Sequence, residues 1–449
     1  MLTPLIGPLV LVAITASDPD RLHEVGAVLG DPLDPATWPA EEAGLVPQVL
    51  PDGLDASSLD ELIDFGLTHD AGLRAAFERW RAAEERVPQA RALPDPTLTF
   101  VQFLEEIQTR TGPQRRQLGV SQLIPGPGKR RLREEVARHE AERRRWELEA
   151  RRLSLVHDIT NAHLDYAYLA RELRITQDNL ELLKRLEPIV QRRVQAGDGQ
   201  AGLLRMLVEI GKLENEVISL RDRRPVLSAR LDALLNREPL VLLPWPVLAE
   251  PSGAVLDAER LGERLTAANP GLQALRVQVE ADDAGGELAR TTGRPDTTVG
   301  LTWFDTSDAP EPRPRGSGDD PLAVTVSVSL PVWRQRVRAA SAEAEHERRA
   351  SRAELRRLEA LLAAELQEAT FRHEDAARQL RLHRDSLMPR ARQALVVTEA
   401  AYRTGSAEVL ELIESQRVLL DFERAYWRAC RDQAQQRARL VALVGGELP

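Results

Sequence analysis

From Lys129 to Ala196 the chain runs without a glycine and with a single proline, Pro188. At 1.5 Å per residue, an uninterrupted helix of that length spans roughly 100 Å. That exceeds the diameter of an ordinary domain, so the fold must be built around an extended rod. The chain then repeats itself. Val120-Ser121-Gln122-Leu123-Ile124-Pro125 leads into this run, and Val326-Ser327-Val328-Ser329-Leu330-Pro331 leads into a second, Arg334 to Tyr402. The runs close at Gly197 and Gly405, in each case about 70 residues after the proline. One more helical stretch follows each glycine, Leu203 to Leu235 and Glu408 to Leu443. A duplication of this size constrains the architecture before any single motif does.

The segments ahead of the rods have a different period. Residues 58–93 read as a helix, with Ser57 or Ser58 as cap and Glu61 at capping-box spacing from Ser58. Pro94-Asp95-Pro96 ends it. Thr97 to Phe103 alternates apolar and polar residues until Phe100-Val101 breaks phase, and it reads as a strand. Residues 105–115 are polar, with a Gly112-Pro113 turn, and Gln117 to Ile124 reads as a second strand, stopped by Pro125-Gly126-Pro127-Gly128. The second copy begins near Leu256. Asn269-Pro270-Gly271-Leu272 parallels His69-Asp70-Ala71-Gly72-Leu73, and Pro295-Asp296 parallels Pro94-Asp95. Strands are expected at Thr297–Trp303 and Leu322–Leu330, around a polar loop from Asp305 to Asp320. Each half therefore reads helix, strand, strand, long helix, tight turn, helix: a mainly α chain with a small antiparallel β component. Within the first rod, Leu169, Leu173, Leu180, Leu183, Val190 and Val194 describe a coiled-coil seam, and Leu182, Leu186 and Ile189 a second row. The division expected is 1–57 as a signal peptide and Pro-rich tether, 58–238 as the first repeat, 239–255 as a linker and 256–449 as the second repeat.

Ala, Leu, Arg and Glu dominate, as long helices require. A formal charge of −10 argues against nucleic acid as a partner. The single cysteine, Cys430, allows neither an internal disulfide framework nor a cysteine-based zinc site. No phosphate-binding loop, nucleophile elbow or zinc-protease signature is present, so no enzyme chemistry and no cofactor is expected. The eight His are scattered, and His373 and His383 read as packing or surface residues. Runs such as Arg143-Arg144-Arg145 read as solvated faces with i,i+4 pairing. Leu5 to Ile14 is apolar but too short to span a bilayer. It has the length of a signal-peptide core, with Ala16-Ser17 as a cleavage zone, although no Lys or Arg precedes it. An apolar start that is not a signal is the other reading. Elsewhere nothing is long and apolar enough for a membrane helix, so a membrane could be entered only through strands. Four strands cannot close a barrel with a lumen, and open edges are not tolerated in lipid. Several chains pooling their strands would meet both demands. A small sheet on a soluble helical stalk is the alternative, and it leaves the edges unexplained.

Taken together, these patterns resemble the outer-membrane efflux channel family, the TolC-like proteins, over about residues 58–447. The likeness rests on Pro94-Asp95-Pro96 before the first strand, on Ser121-Gln122-Leu123-Ile124-Pro125-Gly126-Pro127-Gly128-Lys129-Arg130 where strand meets helix, on Asn269-Pro270 with Pro295-Asp296, and on Tyr402-Arg403-Thr404-Gly405 with Leu410, Leu412 and Leu419 beyond. The resemblance implies a homotrimer. Its twelve-stranded barrel would sit in outer-membrane lipid and continue as an α-helical barrel across the periplasm. It implies a periplasmic adaptor and an inner-membrane pump as partners. The Pro-Gly-Pro-Gly-Lys-Arg junction looks most like channels paired with heavy-metal cation pumps; drug-efflux and type I secretion channels are alternatives within the class, and a non-membrane coiled-coil scaffold outside it. No cysteine stands where many relatives carry a lipidated one, so lipid anchoring is not expected. His69-Asp70 in place of Asn269-Pro270 suggests that one half has drifted. The resemblance also implies that the helix tips dock the adaptor, at Gly197, Asp198, Gly405 and Ser406. An acidic pair following the tip glycine forms a periplasmic gate in such channels, and Glu411 and Glu414 fall at that place, with Glu408 extending the stripe. Leu203 and Met206 stand at the same offsets from Gly197, so only one hairpin would supply acid.

Overall fold

The computed structural model describes residues 58–197, 199–238, 242–250, 256–446 and 448. The apolar start, the tether, Ser57 and Asp198 lie outside the described residues, as do residues 239–241 and 251–255 of the linker.

The expected helix over 58–93 is divided into α1 (Leu59–His69), α2 (Ala71–Glu84) and α3 (Arg86–Arg91). Ser58 makes no capping bond with its side chain, so the capping box does not form there. The effective cap comes later. Asp70 adopts an extended conformation, and its Oδ1 accepts from the Leu73 amide at 2.5 Å. In the second repeat, α6 (Ala258–Ala268) and α7 (Pro270–Thr291) meet at Asn269, whose Oδ1 accepts from the Leu272 amide at 3.0 Å. Leu73 and Leu272 are both fully buried. The true correspondence is therefore Asp70 with Asn269, one residue from the sequence reading. The two halves have not drifted here: both residues are strong N-caps, and each starts the helix that leads toward the sheet.

Four strands follow the order β1 (Thr97–Thr109), β2 (Gly112–Ile124), β3 (Thr297–Thr306) and β4 (Leu322–Val328), every neighbour antiparallel. The first hairpin is longer than its sequence suggests, since the polar stretch 105–115 continues both strands instead of looping. Polar residues are compatible with a strand whose surroundings are wet; pairing stays in register through Phe100-Val101 and shifts only between Gln102 and Ile107. Gly112 closes this hairpin at φ 135°, where an added Cβ would fall 1.6 Å from the Ser307 carbonyl oxygen. Only glycine fits there.

Four long helices carry the rest: α4 (Lys129–Gln195), α5 (Gln200–Leu234), α8 (Arg334–Leu382) continuing into α9 (Met388–Thr404), and α10 (Val409–Leu443). The second rod is not uniform. His383–Leu387 forms one π-turn directly ahead of Pro389. Proline has no amide hydrogen, and its ring crowds the carbonyl four residues earlier; the wider turn relieves that crowding. Leu169, Leu173, Leu183 and Val190 of the expected seam and Leu186 of the second row are buried, while Leu180, Leu182 and Ile189 pack at the margin of the core. Far from the sheet, Leu183, Leu186 and Val190 of α4, Met206 and Ile210 of α5, Leu395 and Tyr402 of α9, and Leu412 and Ile413 of α10 share one apolar core. Two helical hairpins are thus clamped into one bundle.

Candidate functional site

The sheet carries a chemical asymmetry between its faces. Register places Leu98, Val120, Leu301 and Val324 in one row across all four strands, and Phe100, Leu118, Trp303 and Leu322 in the next row on the same face. All eight are exposed, Leu98 at 69% and Val324 at 72%. The opposite face carries the rows Thr97, Ser121, Gly300, Thr325 and Thr99, Gly119, Thr302, Ala323. Val326 and Val328 extend the apolar side, so the band from Leu322 to Val328 is about 20 Å tall at 3.4 Å per residue. An exposed apolar surface this continuous exceeds what a monomer leaves in water. Its height suits the hydrocarbon layer crossed by outer-membrane strands. Among the described residues, no helix is long and apolar enough to cross a membrane.

At the other end of the rods lie the tips. Gly405 ends α9 in the left-handed conformation at φ 89°. The Gly405 amide donates to the Tyr402 carbonyl at 3.2 Å and the Ser406 amide to the Ala401 carbonyl at 2.9 Å. This pair of bonds is a Schellman cap. Arg193 of the neighbouring hairpin donates to the Tyr402 carbonyl at 2.5 Å and lays its guanidinium 4.6 Å from the Tyr402 ring centroid. Gly197, at φ 117°, and Ser406 are exposed. Gly202 leaves room for Val409, which an added Cβ would approach to 3.3 Å. The starts of α5 and α10 therefore pack against each other beside the tips.

Glu408, Glu411 and Glu414 are exposed on the first turns of α10, opposite the buried Val409, Leu412, Ile413 and Gln416. Among the described residues, none of the three carboxylates meets a cation. The equivalence drawn with the first hairpin needs correcting. α5 begins at Gln200, three residues after Gly197, whereas α10 begins at Val409, four after Gly405, and both helices have 35 residues. Aligned by their helical frames, Glu411 corresponds to Gly202 and Glu414 to Arg205. Met206 is fully buried and could face no lumen. Acid is still absent from the first hairpin, but an arginine occupies one of the two places.

Sequence reasoning missed the lock where sheet meets helices. Lys129 Nζ donates to Asp296 Oδ1 at 2.7 Å and to the Arg294 carbonyl at 2.8 Å. The Gly126 amide donates to the same Asp296 oxygen at 2.6 Å, and Arg294 Nη1 to the Pro127 carbonyl at 2.5 Å. The hydrogen bond from Lys129, chiefly, holds the Asp296 carboxyl below its ordinary range. Both residues had been singled out, but nothing in either pattern joins positions so distant in the chain. A cavity of about 510 Å³ also lies beside α4 and α10, lined by His163, Leu164, Val247, Leu248 and Ala438. Burial lowers the His163 imidazole to about 4. His373 and His383 are buried, in keeping with packing roles.

Residues 261–446 match the family model described as outer membrane efflux protein. No curated protein matches the chain by sequence. Several solved structures share its fold. The outer-membrane channel OprN is 19% identical at a TM-score of 0.75, with 87% of this chain and 90% of that one covered. The outer membrane protein VceC from Vibrio cholerae is 19% identical at 0.72, with 87% and 97% covered. The open state of the MtrE outer membrane channel from Neisseria gonorrhoeae is 18% identical at 0.70, with 92% and 97% covered.

Proposed function

We propose, from the match of residues 261–446 to the outer membrane efflux protein family model, that this chain is the outer-membrane channel of a tripartite efflux system. The observation that carries this reading is the four-stranded sheet with one exposed apolar face, one polar face and two open edges. Three copies would supply about twelve strands, enough for a barrel with a wet interior, and would leave no edge in lipid. The rods, roughly 100 Å long, would continue the conduit through the periplasm. The channel is passive: an inner-membrane pump supplies the energy, and a periplasmic adaptor docks on the tips at Gly197, Asp198, Gly405 and Ser406. In this reading residues 1–57 export and tether the chain, 58–238 and 256–449 are the two repeats, and 239–255 links them.

Under three-fold symmetry, Glu411 and Glu414 form two rings of carboxylates at the narrowest point, with Glu408 extending the stripe toward the tip. Such rings favour cations and repel one another when ionised. This, together with the Pro125-Gly126-Pro127-Gly128-Lys129-Arg130 junction, supports heavy-metal cations as cargo. A soluble scaffold would have to leave the apolar face in water. The test is a planar-bilayer recording of the purified channel. Glu411→Ala with Glu414→Ala should raise the open-channel leak and reduce cation selectivity. Unchanged conductance and selectivity would remove the gate from this account.

A further inference from the structure

The cations at the heads of the two rods are partnered differently. At the head of α4, Lys129 is held by Asp296, Arg130 donates to the Arg91 carbonyl at 2.9 and 2.7 Å, and Arg131 meets Glu135 at 2.8 Å. At the head of α8, Arg334, Arg336 and Arg338 are all exposed, and none has an ion pair or side-chain hydrogen bond among the described residues. Farther along α8 arginines meet acids again: Arg348 and Arg352 reach Asp283, Arg349 reaches Glu345 and Arg357 reaches Glu354. A cluster of uncompensated charge therefore stands at the sheet end of this rod. No acid lies between Arg334 and Ala342 to balance it. Like charges so close repel one another, and they also oppose the positive end of the helix dipole. An anion from outside the chain would relieve both.

The surface beside these arginines is apolar. Strand pairing ends at Val328 opposite Thr297. Ser329 is tied to the lock: its amide donates to the Asp296 carbonyl at 2.8 Å, and its hydroxyl accepts from the Asp296 amide at 2.7 Å. Leu330, Val332 and Trp333 then stand in the open, Leu330 at 75% and Trp333 at 77% exposure. They extend the apolar side of β4 down to the first residue of α8. The helix α7 packs along α8 and leaves them exposed. At this end the contact is made by the half-buried Val337, 3.5 Å from where a Cβ on Gly293 would lie. Arg336 and Arg338 are turned about 100° to either side of Val337, away from that contact.

We infer that Leu330, Val332 and Trp333 with Arg334, Arg336 and Arg338 form an anchor for an anionic phospholipid, the apolar side chains against its acyl chains and the guanidinium groups on its phosphate. This rests on the channel reading above, which puts the apolar band in lipid. Such a lipid matches both halves of the patch at once. Guanidinium groups present paired N–H donors that fit phosphate oxygens, and Trp favours the headgroup level between hydrocarbon and water. An acidic peptide would meet the arginines and leave Leu330 and Trp333 in water. A zwitterionic headgroup would cancel part of the attraction with its own cation. The chain as a whole carries −10, so the patch is a local exception and not one end of a general basic surface.

The experiment uses the full chain, purified in detergent from outer membranes and returned to bilayer nanodiscs of phosphatidylethanolamine mixed with phosphatidylglycerol. Native mass spectrometry should show phosphatidylglycerol retained about tenfold above its share of the mixture, since each basic group near a membrane surface favours anionic lipid about fivefold. Replacing all three arginines with Ala should bring retention within about twofold of that share, whereas replacing them with Lys, which keeps the charge, should preserve the preference. Lipids brominated near the headgroup should quench Trp333, one of seven tryptophans, read as the difference between wild type and Trp333→Phe. Unchanged retention in the Ala variant, an unquenched Trp333, or displacement of the lipid by inorganic phosphate would each overturn the inference and leave the channel reading standing. So would an Ala variant that keeps its lipid but loses its oligomer in detergent, because the patch would then face another copy. A chain that does not enter the bilayer at all overturns both.

Discussion

Replacing Lys129 with methionine keeps most of the side chain's volume and removes its ammonium group. Two charge-assisted hydrogen bonds vanish, to Asp296 at 2.7 Å and to the Arg294 carbonyl at 2.8 Å. The larger effect is on what remains. Stripping one member from a buried ion pair costs about 3–5 kcal/mol when its partner is fully enclosed. Asp296 is less confined: its side chain is 29% exposed, and it keeps the Gly126 amide at 2.6 Å. That partial solvation lowers the expected cost to about 2–3 kcal/mol. Asp296→Asn should cost about 1–2 kcal/mol, since the amide oxygen can still accept from Gly126. The double variant should cost little more than Lys129→Met alone, a coupling of about 1–2 kcal/mol. Global unfolding of a large chain is seldom reversible, so local opening is the better quantity. Amide hydrogen exchange of residues 126–134 should speed up by about 30- to 100-fold in Lys129→Met, with the bundle near Leu412 unaffected. Exchange within about threefold of wild type at that junction, or an acceleration spread evenly over the chain, would refute the idea that this pair holds sheet to helix.

Three further outcomes are expected. His163 is neutral and buried, its folded value near 4 against an unfolded value of about 6.5. Its contribution is present above about 6.5 and is lost as pH falls toward about 4, because the unfolded chain binds the proton more readily; the loss is roughly 2–4 kcal/mol per chain. Thermal unfolding in detergent should show this acid slope flattened by His163→Leu, and an unchanged slope would count against it. If the apolar face meets lipid as proposed, Val326→Arg should cost about 2–4 kcal/mol, while Ser327→Arg beside it should be tolerated; the yield of trimer in outer membranes measures both. Gly405→Val forces a β-branched residue to φ 89° at the tip, a strain of about 1–2 kcal/mol or more. It should abolish copurification with the adaptor while leaving export to the membrane intact.

Element types were legible because they rest on local pattern. The rods announced themselves by missing glycine, and the strands at Thr297 and Leu322 by alternation. What escaped depended on distant partners or on context. The division of 58–93 turned on Asp70 acting as a cap, which is visible only once the parallel with Asn269 is shifted by one residue. The extended first hairpin escaped because its far half is polar, and polar alternation alone does not separate a strand from a loop. The π-turn at His383–Leu387 needs Pro389 to be read as a neighbour's problem and not as a helix end. For the candidate site, the glycines that end the rods followed from spacing, whereas the docking role of the tips and the gate role of Glu408, Glu411 and Glu414 came only from the family resemblance. The offset to the first hairpin did not follow from spacing, since a single inserted residue between Gly405 and Val409 moves the helical frame. The Lys129–Asp296 lock joins two residues that were each noticed and could not have been paired from spacing alone.

The central claim is that three chains pool their sheets into a membrane barrel continued by their helices. Electron microscopy of the full-length protein, exported and extracted in detergent from outer membranes, tests it directly. The account predicts a three-fold hollow cylinder of roughly 100 Å or more, with a detergent belt around the strand end. A soluble rod of one or two chains that never reaches the outer membrane would contradict it.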